Sequence, residues 1–250
     1  MSPAARKVVL LGATRGMGRA LARKMVERGD RLFILGRNLE DLERSAGDLA
    51  IRGSAGAVGV GYCDLERPET FAAALSAAEA ALDGFDTVVV TAASFASQAE
   101  LERDPALLAR LLTIDFTNTI LFCEEARKRL LARGGGTLCV FSSVAGERGR
   151  KPVALYGAAK AGLSRYLEAI DHRHHGEGLR VVTVKPGFVR TGMTAGLTPP
   201  PFAGEPDAVA ARVLSAIDRG TPVVYAPPPW GPIMTVIRHL PRFVMRRVKF

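Results

Sequence analysis

The chain has 250 residues, of which 48% are hydrophobic, 24% charged and 6% aromatic. That balance excludes a disordered chain, a collagenous fibre and a disulfide-stapled mini-protein, and it is enough for one α/β domain with a large core. The 34 Lys and Arg against 25 Asp and Glu leave a formal charge of +9, which poses nucleic acid, an anionic membrane surface or a phosphorylated ligand as partners.

Seven short β-rich runs are predicted: Val8–Leu11, Arg31–Gly36, Ala57–Cys63, Phe85–Thr91, Thr137–Ser142, Leu179–Lys185 and Pro222–Ala226. Their apolar residues are continuous rather than alternating, the pattern of strands buried on both faces. Helical patterns lie between them, over Gly16–Arg28, Leu39–Arg52, Pro68–Leu82, Pro105–Arg133, Val153–His175 and Pro206–Arg219. Repeated strand–helix alternation predicts a doubly wound Rossmann-type parallel sheet of seven strands with helices on both faces. Residues 1–226 are read as one catalytic domain and 227–250 as a basic, apolar C-terminal extension. The N-terminus runs straight into a strand, with no signal-peptide pattern, and no uninterrupted apolar stretch is long enough for an ordinary transmembrane helix. Cys63, Cys123 and Cys139 have no metal or redox spacing and read as buried thiols in a reducing compartment. His172, His174 and His175 have no accompanying ligand set, and a metal site is not expected.

Gly12-Ala13-Thr14-Arg15-Gly16-Met17-Gly18 follows the first strand and opens the first helix. Gly12 permits a tight turn, Gly16 lets backbone approach a pyrophosphate, and Gly18 lets the helix pack closely on the strand. The free N–H groups at the helix start favour a phosphate. The second strand ends Leu35-Gly36-Arg37-Asn38, with no carboxylate to bind ribose hydroxyls. Arg37, with Arg15, suits a 2′-phosphate, so NADP(H) is the expected cofactor. One charged hydrogen bond of roughly 1.5–3 kcal/mol gives about ten- to hundredfold preference. Tyr156 and Lys160 are four residues apart on one predicted helix and share a face. Ionising an ordinary phenol at neutral pH costs about 4 kcal/mol. A neighbouring ammonium and an oxidised nicotinamide lower that cost, which equips the pair for proton exchange at a carbonyl oxygen.

The glycine spacing, the Tyr156-x-x-x-Lys160 pair and the serine pair upstream together resemble the short-chain dehydrogenase/reductase family, over roughly residues 6–226. The resemblance implies hydride transfer, with Ser143, thirteen residues before Tyr156, holding the substrate oxygen and Ser142 as the alternative. It places Asp64-Leu65 at the adenine and Thr91-Ala92-Ala93 beneath the cofactor. It places the Pro186-Gly187-Phe188-Val189-Arg190-Thr191 turn at the nicotinamide, Val189 and Thr191 meeting the carboxamide. The cofactor contacts it implies are thus Gly12, Thr14, Arg15, Gly16, Met17, Gly18, Arg37, Asn38, Asp64, Leu65, Ala92, Tyr156, Lys160, Pro186, Gly187, Val189 and Thr191. Residues 192–206 would form a lid. Two departures stand out. Thr91 replaces the family's usual Asn after the fourth strand, and Asp115 occupies the place of a catalytic Asn, with Asn118 three residues late as the other alignment. A charged Asp115 near Lys160 would raise the lysine pKa. These departures motivate an alternative of another class, a non-catalytic NADPH-binding regulator or lipid-binding protein. Similar proteins form dimers or tetramers, so a homo-oligomer is compatible with the resemblance.

Residues 231–250 hold five bases, Arg238, Arg242, Arg246, Arg247 and Lys249, and no acid. Ile233, Met234, Val236, Ile237 and Leu240 are read as one apolar helix face, Phe243, Val244, Met245 and Val248 as a second patch, and Trp230 as an interfacial anchor. The expectation is a peripheral helix at the inner face of the membrane, in a cytoplasmic protein. The competing reading folds this tail over the substrate cleft or a subunit interface. No stacking aromatics interleave with the bases, so nucleic acid is not expected. Gly146-Glu147-Arg148 and the tail resemble one subgroup, the decaprenyl-phosphoryl 2-keto-pentose reductases and related bacterial reductases, which implies a lipid-linked ketone substrate.

Overall fold

The computed structural model describes residues 5–248. Seven strands form one parallel sheet: β1 Lys7–Leu11, β2 Arg31–Gly36, β3 Gly59–Tyr62, β4 Thr87–Val90, β5 Gly136–Phe141, β6 Leu179–Pro186 and β7 Val223–Ala226. Their order is β3-β2-β1-β4-β5-β6-β7. The chain winds outward from β1 in one direction and from β4 in the other. The crevice at the carboxyl ends of β1 and β4 is therefore the switch point where such sheets bind ligands.

The continuous Val, Leu and Ile runs of the strands are explained by helices on both faces. Helices α1 (Gly16–Glu27), α2 (Leu39–Arg52) and α8 (Pro206–Arg219) cover one face. There Leu21 and Met25 join Val213 and Ile217 in one buried cluster. On the other face lie α3 (Phe71–Leu82), α6 (Asn118–Ala132) and α7 (Ala154–His174). Phe71 and Phe122 meet edge-on there, with centroids 5.5 Å apart. Cys63, Cys123 and Cys139 are free and buried; burial pushes the Cys63 thiol up to about 12.

The single helix expected over Pro105–Arg133 is interrupted. Helices α4 (Gln98–Arg103) and α5 (Pro105–Leu112) precede a π-helical turn over Thr113–Thr117, which leads into α6. Inserting a residue into a helix shifts its faces, and such turns recur at functional sites. By length and composition alone Pro105–Ala132 is apolar enough to cross a bilayer. Its apolar side is instead spent on the domain, with Leu111, Phe122, Cys123, Ala126 and Leu130 fully buried.

The tail forms α9 (Trp230–His239) and α10 (Arg242–Met245). The apolar stripe expected to face a membrane is turned largely inward, because Val144 and its neighbours leave a hydrophobic surface that must be covered. Met234 and Ile237 are buried against Val144, while Val236 lies off the stripe at 64% exposure. Arg238 reaches Glu147 at 3.3 Å, and Arg148 donates to the Leu240 carbonyl at 2.8 Å. Helix α9 is thus folded onto the domain beside Val144. Arg242, Arg246 and Arg247 are exposed. Lys249, counted among the tail's bases, lies outside the described residues.

Candidate active site

Gly12 sits at φ +101°, a left-handed conformation that side chains rarely adopt. A Cβ on Gly18 would lie 2.1 Å from the Gly12 carbonyl oxygen and 2.4 Å from Thr91 Oγ1. Only glycine lets α1 start this close to β1 and β4. Thr91 has a structural role: its hydroxyl donates to the carbonyls of Leu11 at 3.1 Å and Gly12 at 3.0 Å. It ties the end of β4 to the glycine turn, and Ala92 backbone continues beside Gly12. Across the mouth, a Cβ on Gly16 would approach Thr191 Cγ2 at 3.3 Å. Thr191 therefore overhangs the start of α1, as expected of the turn after β6. Pro186 and Val189 are buried supports of that turn, and the Gly187 N–H donates to the Ala226 carbonyl at 3.0 Å.

Next to the turn is a cleft of about 320 Å³ lined by Thr14, Arg15, Arg19, Asp41, Arg44 and Ser45. Arg15 reaches Asp41 at 3.3 Å with 85% of its side chain exposed, and Arg44 reaches the same carboxylate at 2.7 Å. Arg37 approaches Glu66 at 3.7 Å and is 64% exposed. Glu66 is better held by Arg110, which contacts both its oxygens at 2.6 and 2.7 Å, and that guanidinium holds the Glu66 carboxyl below its usual range. A glycine cradle that a Cβ would fill, beside exposed guanidinium groups, fits a phosphorylated dinucleotide. Arg19 and Arg44 were missed by the sequence reading. Arg19 had a signal, since it follows Arg15 by four residues and shares its helix face.

Not every expected cofactor contact has a free side chain. Asn38 caps α2, its side chain accepting from the Asp41 N–H at 3.0 Å, and so serves the helix. Asp64 accepts from the Glu66 N–H at 3.0 Å. Leu65 is buried in the core, and its carbonyl accepts from Asn118 Nδ2 at 2.6 Å. Met17 packs on the core.

The reacting end lies beyond β5 and on α7. The choice between the serines follows from their partners. Ser142 Oγ donates to the Lys160 carbonyl at 3.0 Å and pairs with Ser164 at 2.7 Å, so it belongs to the packing of α7. Ser143 accepts from the Ala145 N–H at 3.0 Å and is among the groups that pull the Tyr156 phenol down. Lys160 Nζ lies 5.7 Å from the Tyr156 ring centroid. Phe95 meets that ring edge-on at 5.3 Å; a loop aromatic with no motif around it gave no signal of this.

Asp115, rather than Asn118, meets this group. The π turn aims its side chain inward, where Oδ2 lies 3.3 Å from Lys160 Nζ, with the two side chains 0% and 2% exposed. Oδ1 accepts from the Ser94 N–H at 2.6 Å. Burial pushes the Asp115 carboxyl up, while Lys160 and the Ser94 N–H pull it back. Burial works against the Lys160 ammonium, but the Asp115 carboxylate outweighs it and the lysine stands above its usual value. For Tyr156, burial pushes the phenol up, Lys160 pulls it down, Asp115 pushes it up again and Ser143 pulls it down; the net direction is upward. Lysine alone is therefore not enough to favour the phenolate here.

Buried His174 pairs with Glu177 at 2.8 Å, and among the described residues no group of three candidate metal ligands exists.

The segment after Thr191 is the expected lid. It lines a second cleft of about 360 Å³ with Phe188, Arg190, Thr191, Thr194, Ala195, Leu197 and Pro199. The Trp230 indole Nε1–H donates to the Phe202 carbonyl at 3.3 Å, and a Cβ on Gly187 would collide with the indole at 2.1 Å. Half-buried Trp230 thus joins the lid segment to the turn after β6.

The chain is similar to several known proteins. A family model described as short chain dehydrogenase matches residues 6–201. An uncharacterised oxidoreductase of Mycobacterium tuberculosis is 33% identical over 243 residues, 96% of each chain. The cis-4-hydroxycyclohexanecarboxylate dehydrogenase of Sinomonas cyclohexanicum is 32% identical over 197 residues, 78% of this chain and 77% of its own. The solved actinorhodin polyketide ketoreductase with NADPH superposes with a TM-score of 0.79 at 23% identity, covering 89% of this chain and 97% of its own.

Proposed function

Because the chain belongs to the short chain dehydrogenase family, an oxidoreductase family that uses a nicotinamide cofactor, we propose that it is an NADPH-dependent ketone reductase with Tyr156 as its proton donor. The observation that carries this reading is the convergence of buried Ser143 and Lys160 on the half-buried Tyr156 beyond the glycine cradle. When bound, NADPH supplies the hydride that reduces the carbonyl carbon and leaves as NADP⁺. Gly12, Gly16 and Gly18 let backbone close on the pyrophosphate. The exposed Arg15 and Arg37 exchange their carboxylate partners Asp41 and Glu66 for the 2′-phosphate. Ser143 donates to the carbonyl oxygen and sets its distance from the phenol. Tyr156 gives its proton to that oxygen and is reprotonated from water, so each turnover consumes one proton.

The substrate class is a ketone on an apolar carrier. Supporting this, the lid segment presents Met193, Leu197 and Phe202 to solvent at 45%, 47% and 57% exposure. Phe243 of α10 is 62% exposed, with Arg242 and Arg246 exposed nearby in the chain, which supports contact with an anionic membrane surface. Co-sedimentation with anionic vesicles, lost in Phe243→Asp, tests that part; equal sedimentation of both proteins contradicts it.

The activity test is NADPH oxidation with 4-oxocyclohexanecarboxylate, a 3-oxoacyl thioester and a long-chain methyl ketone. Turnover of one of them with NADPH, and far less with NADH, is expected. Tight NADPH binding without turnover on any of the three would instead favour a cofactor-binding regulator.

A further inference from the structure

The reduction as proposed leaves one charged group in the site without a role. Asp115 is completely buried, and its two oxygens are unequally treated. Oδ1 is held by the Ser94 N–H at 2.6 Å. Oδ2 is paired with Lys160 Nζ at 3.3 Å. Taking two such charges out of water costs several kcal/mol per ion, which well-packed apolar side chains would avoid, so the arrangement is hard to explain as packing. An amide of the same shape would satisfy Ser94 equally well through its oxygen. What the carboxylate adds is a negative charge, placed where only Lys160 can answer it.

That charge matters because of what faces the phenol. Lys160 comes from α7, Asp115 from the π turn, Ser143 from the end of β5 and Phe95 from the loop after β4. Two of these four are charged, with opposite signs, and both are shielded from water. Interactions between buried charges are weakly screened, so neither field is damped before it reaches the ring. The lysine favours the phenolate and the aspartate opposes it.

Resting on the reading of Tyr156 as proton donor, we infer that Asp115 is a positioning residue that neutralises Lys160, keeps the Tyr156 phenol protonated through neutral pH and so commits the site to proton donation, that is, to carbonyl reduction rather than alcohol oxidation. The sign follows directly. Reduction needs the phenol and is lost as pH rises through its ionisation; oxidation needs the phenolate and appears only above it. A phenol held high therefore widens the pH range of reduction and confines oxidation to alkaline solution. The upward direction found for Tyr156, with Asp115 among its causes, agrees.

The test reads the tyrosine itself. The chain has four tyrosines, so the near-ultraviolet phenolate band of the NADPH complex, minus that of Tyr156→Phe, isolates one group. In the native protein no Tyr156 phenolate is expected below about pH 9. In Asp115→Asn the band should appear at least about one pH unit lower than in the native protein. The descending limb of kcat for NADPH-driven reduction of the 3-oxoacyl thioester should move down with it. An Asp115 of merely structural role would lower kcat or Tm without moving either titration. An unmoved band in Asp115→Asn overturns the inference, as does native Tyr156 phenolate at neutral pH, an outcome that needs no variant to fold. Substantial turnover by Tyr156→Phe would instead overturn the reading on which the inference rests.

Discussion

One buried and two exposed pairs of opposite charge differ in what they can do for this molecule. At the reacting end, Asp115 and Lys160 face each other at 3.3 Å with at most 2% of either side chain exposed. At the phosphate end, Arg15 and Arg37 meet Asp41 and Glu66 at 3.3 and 3.7 Å with 85% and 64% of the arginines exposed. Exposed pairs contribute little to stability, about 0–1 kcal/mol, and are readily exchanged for a ligand's charge. A buried pair cannot be exchanged, because removing one partner strands the other without water. On the proposed reading the position of a pair in the fold decides its function: the surface pairs give way to a phosphate, and the buried pair sets a field.

This contrast can be broken in order of expected effect. Lys160→Met strands the Asp115 carboxylate, and unfolding by denaturant should show a loss of about 3–5 kcal/mol. A loss below about 1 kcal/mol would mean that water reaches the pair. Gly18→Ala forces a methyl group onto the Gly12 carbonyl at 2.1 Å, which backbone cannot avoid without moving. It should cost about 1–3 kcal/mol of stability and weaken NADPH binding, measured by fluorescence titration. Arg37→Ala should weaken NADPH about ten- to hundredfold and leave NADH nearly unchanged; equal losses would remove Arg37 from the phosphate. Arg238→Ala, which still leaves Glu147 with Lys185, should shift unfolding by less than about 1 kcal/mol. A larger loss would place α9 among the buried networks.

The sheet was legible because buried parallel strands leave continuous apolar runs, as Thr87–Val90 does with all four residues buried. The glycine turn and the Tyr156–Lys160 face were legible because one obeys backbone geometry and the other helical period. Other features were not. Residues Thr113–Thr117 read as ordinary helix, since a π turn differs by one hydrogen-bond register and leaves no compositional mark. Helix α4 was overlooked although Ser97 and Glu100 form a capping box at its start. The tail was the least legible: its apolar stripe was real, but periodicity cannot say whether a stripe meets lipid or the protein's own surface. For Met234 and Ile237 that is decided by Val144 and Tyr225, supplied by distant parts of the chain.

The central claim is that the Tyr156 phenol delivers the proton during NADPH-dependent carbonyl reduction. The most direct measurement is single-turnover NADPH oxidation with the accepted ketone by native protein and by Tyr156→Phe, each saturated with cofactor. The rate constant should fall by about 10²–10⁴ while the Kd for NADPH is unchanged. A Tyr156→Phe protein that binds NADPH equally and reduces the ketone within a few-fold of the native rate would contradict the account.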